Sequence, residues 1–355
     1  MQSLLPVMTR QRKSSRQSST DLPAASSPDP TAAAFWTKPK LYVAVGAAAA
    51  VLTATAVTLL VVFLQHRDEE VDDGSVRFYS YEVLQRIPHV HSVPPSGDAV
   101  SGVRPFTQGL FFLNESVVVE SGGWYGESII RKWSFPSGDT LAHHDLSPDL
   151  FGEGTVRFND SILQLTWREG LLLAYDVDSL TPTQQYALPF VGWGLATDGE
   201  RLWATTGDSF LRTITLQEQR GDVPAQVHVT NRTKIVCLGR TVSRVNELEY
   251  WEGRIWGNAF GETYVLEIDP HTGQCTSMVS LKGLYDPATS AYVTTHDLGN
   301  DVLNGIAHHT SLGPQRMLVT GKRWPFLWVI KLKPVRPSEP ISRWSDIRTK
   351  LKGFL

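Results

Sequence analysis

The side chains best suited to chemistry stand at one position of a motif that recurs five times along the chain. Each copy has three positions, and a strand follows it. The first position is polar or carries an indole, the second is glycine or glutamate, and the third is aliphatic or threonine. The copies are Gln108-Gly109-Leu110, Glu153-Gly154-Thr155, Trp193-Gly194-Leu195, Asn246-Glu247-Leu248 and Asn304-Gly305-Ile306. Glu153 supplies the carboxyl group among these first positions, and a carboxyl group can accept a proton and return it. Together the five side chains would form a polar cup with an aromatic wall, which suits a small ligand that carries an amide.

The spacing of the motif predicts how the five side chains come together. Successive copies begin 40 to 58 residues apart, and each is followed by strand, turn and strand. Five units of this length, each with about four strands, indicate a five-bladed β-propeller. Equivalent positions of successive blades would then face one end of the central channel. The alternative is a β-sandwich in which this spacing is a coincidence.

The elements that must position the motif are short strands bounded by turns. Residues 75–333 contain many brief runs with alternating apolar residues, such as those at 128–135 and 170–177, and no long helical period. Such runs predict an all-β fold. We expect residues 75–88 to add a strand to the last blade, because an open ring would leave exposed strand edges.

Five ordered strings within residues 75–333 resemble the plant and bacterial type of glutaminyl-peptide cyclotransferase. They are Phe106-Thr-Gln-Gly-Leu110, Phe151-Gly-Glu-Gly154 with Gln164-Leu-Thr-Trp167, Gly192-Trp-Gly-Leu-Ala-Thr-Asp-Gly199, Val245-Asn-Glu-Leu-Glu-Tyr250, and Val302-Leu-Asn-Gly-Ile306 with Val319-Thr-Gly-Lys322. The resemblance implies a five-bladed propeller. It also implies an activity, the conversion of N-terminal glutaminyl residues to pyroglutamate with release of ammonia.

The resemblance also implies a role for nine site residues. Glu153 would be the general acid and base, and the polar groups that bind substrate would be Gln108, Asn246 and Lys322. The aromatic pocket would consist of Phe106, Phe151, Trp167, Trp193 and Phe260. Phe260 departs from the tryptophan usual in the family, so an aromatic face remains but the indole N–H is lost. Affinity or substrate preference would shift as a result.

The reaction requires a fixed substrate rotamer and a group that transfers one proton, and these residue types can supply both. The α-amine of the glutamine attacks the side-chain carbonyl of the same residue, so the enzyme mainly has to fix a reactive rotamer. The amine must lose a proton and the departing ammonia must gain one, and Glu153 could serve both needs. Indole walls would raise its pKa by desolvation. The oxyanion donor could be Lys322 or an amide of Gln108 or Asn246, and Glu247 and Glu249 are possible alternative bases.

Other chemistries lack their sequence markers. There is no His-Glu-x-x-His, Gly-x-Ser-x-Gly, Gly-x-Gly-x-x-Gly or Cys-x-x-Cys motif. The adjacent pairs His143-His144 and His308-His309 would point to opposite faces of a strand. We therefore expect metal-independent catalysis without a cofactor. A net charge of -3 excludes an electrostatic nucleic-acid binder.

A second function remains open from the sequence, that of a catalytically inactive propeller that binds peptide N-termini or a protein partner. The phenylalanine at position 260 is the main feature that favours it.

The expected partners of the enzyme are peptides with an N-terminal glutamine, and we expect a monomer. Cys237 and Cys275 could form a disulfide bond or remain two buried thiols.

The segments outside the propeller predict a membrane anchor. Residues 1–40 are basic and rich in Ser, Ala and Pro, which is typical of disorder. Residues 41–64 run without a charge and are long enough to cross a bilayer, and residues 65–74 form an acidic linker. A buried helix and a cleaved signal peptide are the alternatives. The basic tail 334–355 follows the propeller and has no assigned role.

Charge on either side of the apolar run predicts its orientation. Six Lys and Arg residues precede it, so the N-terminus would be cytosolic and the propeller lumenal or extracellular. The expected protein is a single-pass type II membrane protein of the secretory pathway, in the endoplasmic reticulum, the Golgi or the cell surface. Glycosylation sequons at Asn114, Asn159 and Asn231 agree with that side of the membrane.

Overall fold

The computed structural model describes residues 76–89, 104–288, 297 and 299–355. They belong to a compact unit that runs from Asp72 to Leu355. The predicted tail 1–40, the apolar run 41–64 and most of the linker 65–74 precede that unit, and all three lie outside the described residues. Within the described ranges, no helix has both the length and the apolar character needed to span a bilayer.

The described unit is all-β, with 22 strands, one 3-10 turn and one short helix in its described part. The first strands are β1 Arg77–Pro88, β2 Thr107–Asn114, β3 Val117–Gly122, β4 Ile129–Ser134, β5 Thr140–Asp145, β6 Gly152–Phe158, β7 Ser161–Thr166, β8 Leu171–Asp176, β9 Pro182–Ala187, β10 Leu195–Thr197 and β11 Leu202–Ala204. The others are β12 Phe210–Gln217, β13 Gln226–Lys234, β14 Val236–Cys237, β15 Arg240–Thr241, β16 Val245–Trp251, β17 Arg254–Ala259, β18 Tyr264–Ile268, β19 Cys275–Ser280, β20 Leu303–Ala307, β21 Arg316–Gly321 and β22 Phe326–Val335. The 3-10 turn is Thr310–Leu312 and the helix α1 is Trp344–Lys350.

Twenty of the described strands form five antiparallel runs of four, and β14 pairs antiparallel with β15 in a separate two-stranded sheet. One sheet has the order β2-β3-β4-β5, and two larger sheets have the orders β10-β11-β12-β13-β9-β8-β7-β6 and β16-β17-β18-β19-β1-β22-β21-β20. Each larger sheet contains two antiparallel runs, joined by a short parallel pairing of β13 with β9 or of β1 with β19. The strand β1 pairs antiparallel with β22 from Phe78 opposite Val335 to Pro88 opposite Phe326. The expectation that this segment extends the last run of strands is therefore confirmed.

The turns between strands follow from their local chemistry. Between β18 and β19, the Asp269 carboxylate accepts hydrogen bonds from the backbone N–H groups of His271 and Thr272, at 2.9 and 3.0 Å. Such an Asx turn reverses the chain, and Gly273 completes it at φ 71°. A Cβ atom on Gly273 would lie 2.2 Å from the Lys234 carbonyl oxygen, so only glycine fits there.

The first strands of the five runs lie against one another in a closed cycle. The strand β2 contacts β6, and the succession continues through β10, β16 and β20 back to β2. The motif glycines make this approach possible. A Cβ atom on Gly109 would lie 2.6 Å from the Thr155 nitrogen, and one on Gly194 would lie 1.8 Å from the Asn246 carbonyl oxygen. The small residue in the motif is thus required by the close packing of neighbouring strands.

The fourth copy of the motif has Glu247 where the others have glycine, and its carboxylate holds three of these strands together. Its two oxygens accept backbone N–H groups of Leu110 on β2 and Ile306 on β20, at 3.3 and 2.9 Å. Glu249 on the same strand accepts the backbone N–H of His308 at 3.0 Å. The two carboxylates thereby satisfy backbone donors at the inner edges of β2 and β20.

The C-terminal tail packs onto the unit and is part of its core. Ile341, Ile347, Leu351 and Phe354 are buried in the same cluster as Phe78. Nearby, Cys237 and Cys275 form a disulfide bond with a Cα–Cα distance of 4.8 Å, which joins β14 to β19. Of the two alternatives for the cysteines, the structure therefore contains the disulfide.

Candidate active site

A cavity of about 330 Å³ opens where the first strands of the runs begin. All nine residues singled out from the sequence line it, together with three that the sequence analysis missed. The nine are Phe106, Gln108, Phe151, Glu153, Trp167, Trp193, Asn246, Phe260 and Lys322, and the three are Trp124, Tyr125 and Asn300.

The strand ends explain why these side chains meet. Gln108, Glu153 and Asn246 are each the second residue of a first strand, on β2, β6 and β16. The other predicted residues lie just before or after a strand, as Lys322 does at the end of β21. Because the first strands pack side by side, equivalent positions on them face the same opening.

Glu153 lies on the cavity wall with an unsatisfied carboxyl oxygen. The residue is 3% exposed, and its Oε2 has no hydrogen-bond partner among the described residues. Burial raises the pKa of the carboxyl group well above its ordinary value; Lys322 opposes this shift and Glu169 adds to it. Burial disfavours the charged form, so this carboxyl group holds a proton at higher pH than an exposed glutamate does.

Lys322 supplies the positive charge of the cavity. Burial lowers the pKa of its ammonium group to about 8, although Glu153 and Asp301 act in the opposite direction. The Nζ atom lies 4.9 Å from the ring centroid of Phe106 and 4.7 Å from that of Phe260. In the described part of the chain no ion pair joins Lys322 to Glu153. Both groups can therefore contact a ligand that enters between them.

A chain of side-chain amides fixes the direction of Gln108. Asn258 donates from Nδ2 to Oδ1 of Asn304 at 3.1 Å, and Asn304 donates from Nδ2 to Oε1 of Gln108 at 3.3 Å. The oxygen of Gln108 is thereby occupied, and its NH2 group is the one offered to a ligand. Asn246 complements it, because its buried Oδ1 has no partner among the described residues and can accept a hydrogen bond. Asn304 is not among the nine predicted site residues, and its place in the fifth copy of the motif is the signal that points to it.

The aromatic wall includes a strained segment that the sequence analysis missed. Trp124 has φ 97°, which is unusual for a bulky residue, and its ring lies 5.1 Å from that of Phe106. Its neighbour Tyr125 donates a hydrogen bond to Glu169 at 2.7 Å, which raises the pKa of the tyrosine to about 12. Backbone strain of this kind is often retained at ligand sites. Two aromatics within the glycine-rich string 122–126 were the signal that could have indicated this segment.

The alternative bases lie outside the cavity. Glu247 has both oxygens bonded to backbone N–H groups, and Glu249 has one so bonded. Burial raises the pKa of both carboxyl groups. Neither residue lines the cavity, so neither can reach a ligand there.

The two rings of each adjacent histidine pair have different neighbours; His143 and His144 lie on β5, whereas His308 and His309 follow the end of β20. His143 faces Asp145 at 4.0 Å, whereas His144 lies 5.7 Å from the Tyr175 ring. Similarly, His308 stacks on Trp251 with ring centroids 4.1 Å apart, and His309 packs near Phe112. No group of three or more His, Cys, Asp or Glu residues arranged to hold a metal ion occurs among the residues that the structure describes.

A buried ionic cluster supports the floor beside Gln108. The Glu120 carboxylate accepts hydrogen bonds from Thr107 Oγ1 at 2.7 Å, from Arg131 Nη2 at 2.6 Å and from His89 Nε2 at 2.8 Å. Burial alone would raise the pKa of Glu120, but His89 and Arg131 lower it far below its ordinary range. The cluster holds Thr107, and hence the adjacent Gln108, at a fixed position on β2.

Comparisons with known proteins show what the chain as a whole is similar to. A family model described as glutamine cyclotransferase matches residues 54–332. A glutaminyl-peptide cyclotransferase from Arabidopsis thaliana is 32% identical over 262 residues, which cover 74% of this chain and 74% of that protein. The crystal structure of Myxococcus xanthus glutaminyl cyclase matches with a TM-score of 0.60 and 27% identity, covering 74% of this chain and 100% of that one.

Proposed function

The chain belongs to the glutamine cyclotransferase family, and from this premise we propose that Glu153 transfers the proton when a peptide's N-terminal glutamine cyclises. The protein is an enzyme that converts N-terminal glutaminyl residues of peptides to pyroglutamate and releases ammonia. The observation that carries the role of Glu153 is its buried, unpartnered carboxyl oxygen on the cavity wall.

The steps of the reaction balance with one carboxyl group. The neutral α-amine attacks the side-chain carbonyl carbon, a C–N bond forms, and the carbonyl oxygen becomes an oxyanion. Glu153, as the carboxylate, takes the proton that the amine loses. Glu153 then gives this proton to the side-chain nitrogen, the oxyanion re-forms the C=O bond of the lactam, the C–N bond to the side-chain nitrogen breaks, and ammonia leaves. The carboxylate is thereby restored without any other reactant.

The other cavity groups bind and orient the substrate. The ammonium of Lys322 and the NH2 group of Gln108 are the donors available to the developing oxyanion. Asn246 accepts an N–H of the substrate through its unpaired Oδ1. The aromatic wall excludes water and limits the rotamers of the glutamine, which is the main requirement of an intramolecular reaction. Phe260 contributes a ring face over Lys322 and no N–H donor.

We further propose that the five runs of strands are the blades of a five-bladed propeller. The closed cycle of the first strands β2, β6, β10, β16 and β20 supports this arrangement. The parallel pairings that join runs involve only their edge strands β13, β9, β1 and β19. The cavity then lies at one end of the central channel.

The apolar run 41–64 is proposed to anchor the enzyme as a monomeric type II protein, with the described unit on the lumenal or extracellular side. The disulfide between Cys237 and Cys275 supports an oxidising compartment. Asn114, Asn159 and Asn231 are all exposed, as glycan acceptors must be. After expression in a secretory cell, glycosidase treatment should reduce the apparent mass of the chain. An unchanged mass would contradict the proposed side of the membrane. Alkaline extraction tests the anchor separately, because a chain that spans the membrane stays with the membrane fraction.

The activity itself can be tested with the purified full chain in detergent. A Gln-initiated peptide should lose one ammonia per molecule, measured as free ammonia and by peptide mass. The same peptide with an acetylated α-amine should be inert, because the nucleophile is blocked. Turnover should persist after chelator treatment, because no described side chain of the mechanism needs a metal. Binding of the peptide without turnover would instead support an inactive recognition module.

A further inference from the structure

We propose that an arginine-lined pocket beside the cavity binds a carboxylate of the substrate, within about three residues after the N-terminal glutamine. The inference rests on the proposed function and adds a substrate preference to it. The pocket has a volume of about 130 Å³, and Arg240 and Arg244 both line it. Phe260 lines this pocket as well as the cavity, so the two are neighbours.

Distances across Phe260 place the pocket within reach of a bound peptide. The Arg244 Cζ atom lies 5.1 Å from the centroid of the Phe260 ring, and Lys322 Nζ lies 4.7 Å from the same centroid. The two cations are therefore at most roughly 10 Å apart, a span that about three residues of extended chain cover. A peptide whose first residue contacts Lys322 can thus bring an early side chain to Arg244.

Both guanidinium groups are held by aromatic rings and remain available for an anion. Arg240 lies over the Trp344 ring at 4.8 Å, and Trp344 packs edge-on against Tyr264. Among the described residues, neither arginine has a carboxylate within 4.0 Å. A stacked guanidinium keeps its N–H groups free in one plane, which matches the two oxygens of a carboxylate.

The backbone also fixes Arg244 in place. Its φ of 65° lies in the left-handed region, which is uncommon for a residue with a side chain. Its N–H donates to the Gly207 carbonyl at 3.0 Å, and its carbonyl accepts the N–H of Phe260 at 2.8 Å. The backbone of Arg244 is thus hydrogen-bonded directly to that of Phe260 on the cavity wall. Strain retained at such a position is typical of ligand contacts.

The remaining groups of the pocket define what it can bind. Burial is the main cause that raises the pKa of Tyr264 to about 12, so its hydroxyl stays neutral and can donate a hydrogen bond. Glu262 also lines the pocket and reduces its net positive charge, which favours a single carboxylate over a more highly charged anion. The carboxylate can come from an acidic side chain or from the C-terminus of a short peptide.

The test compares pairs of peptides that begin with glutamine, in which the two members differ only in the presence of one carboxylate near that glutamine. C-terminally amidated peptides carry Glu or Gln at position 2, 3 or 4, and a short neutral peptide is used with a free or an amidated C-terminus. We expect KM to be about 5- to 30-fold lower for the best acidic peptide, with kcat unchanged. The amidated series assigns the effect to a side chain, and the short pair assigns it to the terminal carboxylate.

Variants then assign the preference to the pocket. In Arg244→Gln and Arg240→Gln, KM for the acidic peptide should rise to the neutral value, while the neutral peptide is unaffected. Arg220→Gln, which removes an exposed arginine elsewhere, should leave the preference intact. Equal KM values for acidic and neutral peptides would overturn the proposal. A preference for the acidic peptide that survives in the double variant, which carries both Arg240→Gln and Arg244→Gln, would also overturn it.

Failure of the inference can be told apart from failure of the proposed function. Turnover without an acidic preference refutes only the carboxylate pocket. If no peptide is turned over, quenching of the cavity tryptophans still measures binding of the same peptides. Tighter binding of the acidic peptide, lost in Arg244→Gln, would then support the pocket, and equal binding would refute it.

Discussion

Replacing Glu153 with glutamine is expected to lower kcat by about 10²- to 10⁴-fold, the range typical for loss of general acid–base catalysis. The amide has nearly the same size as the carboxyl group but cannot take a proton from the substrate amine. KM should change little, because the other binding groups of the cavity remain in place. The measurement is initial ammonia release at saturating Gln-initiated peptide.

The same variant should fold normally, which separates a catalytic effect from a structural one. The Glu153 Oε2 atom has no partner to lose among the described residues, and burial disfavours its charged form. A neutral amide therefore removes a desolvation cost at neutral pH, and Tm should be unchanged or higher. Glu200→Gln, at an exposed turn, serves as the matched control and should keep full activity. A Glu153→Gln enzyme with the kcat of the control would contradict the mechanism.

Replacing Lys322 with methionine should lower kcat/KM by about 10²- to 10³-fold, as loss of one oxyanion donor does elsewhere. Methionine retains an unbranched apolar side chain against Phe106 and Phe260 and removes the ammonium group. Steady-state kinetics with one neutral peptide measure the loss. Lys352→Met, which alters an exposed lysine of the tail, is the control and should behave as the unmodified enzyme.

The pH profile of this variant gives a second, independent readout. In the unmodified enzyme kcat/KM should rise as Glu153 loses its proton and fall as Lys322 loses its own, with a pKa of about 8. Lys322 lowers the pKa of Glu153, so its removal should move the acidic limb to higher pH. The alkaline limb should disappear, because no ammonium group remains to titrate. The substrate amine titrates equally in both profiles, and profiles that coincide would refute the assignment of both limbs.

Much of the site could be predicted because its residues belong to a repeated motif. Repetition places Gln108, Glu153 and Asn246 at equivalent strand positions, and close packing of the strands brings equivalent positions together. The motif glycines carry the same information, since they mark where backbones approach too closely for a Cβ atom.

Other features depend on contacts that no local pattern encodes. Trp124 lines the cavity from a backbone with a positive φ, which strand periodicity does not indicate. The direction of the Gln108 amide depends on Asn304 and Asn258, which lie far away in sequence. The tail gave no periodic signal of its own, because its burial depends on the core formed by β18 and β19.

The most direct test of the central claim compares the titration of Glu153 with the rate. Carbon-13 NMR of labelled glutamate, with Glu153→Gln used to assign the signal, measures the pKa of this carboxyl group in the free enzyme. We predict a pKa well above the ordinary value, equal to the enzyme pKa that remains in the acidic limb of kcat/KM once the titration of the substrate amine is subtracted. A carboxyl group that titrates in the usual range, or an acidic limb that persists unchanged in Glu153→Gln, would show that another group moves the proton.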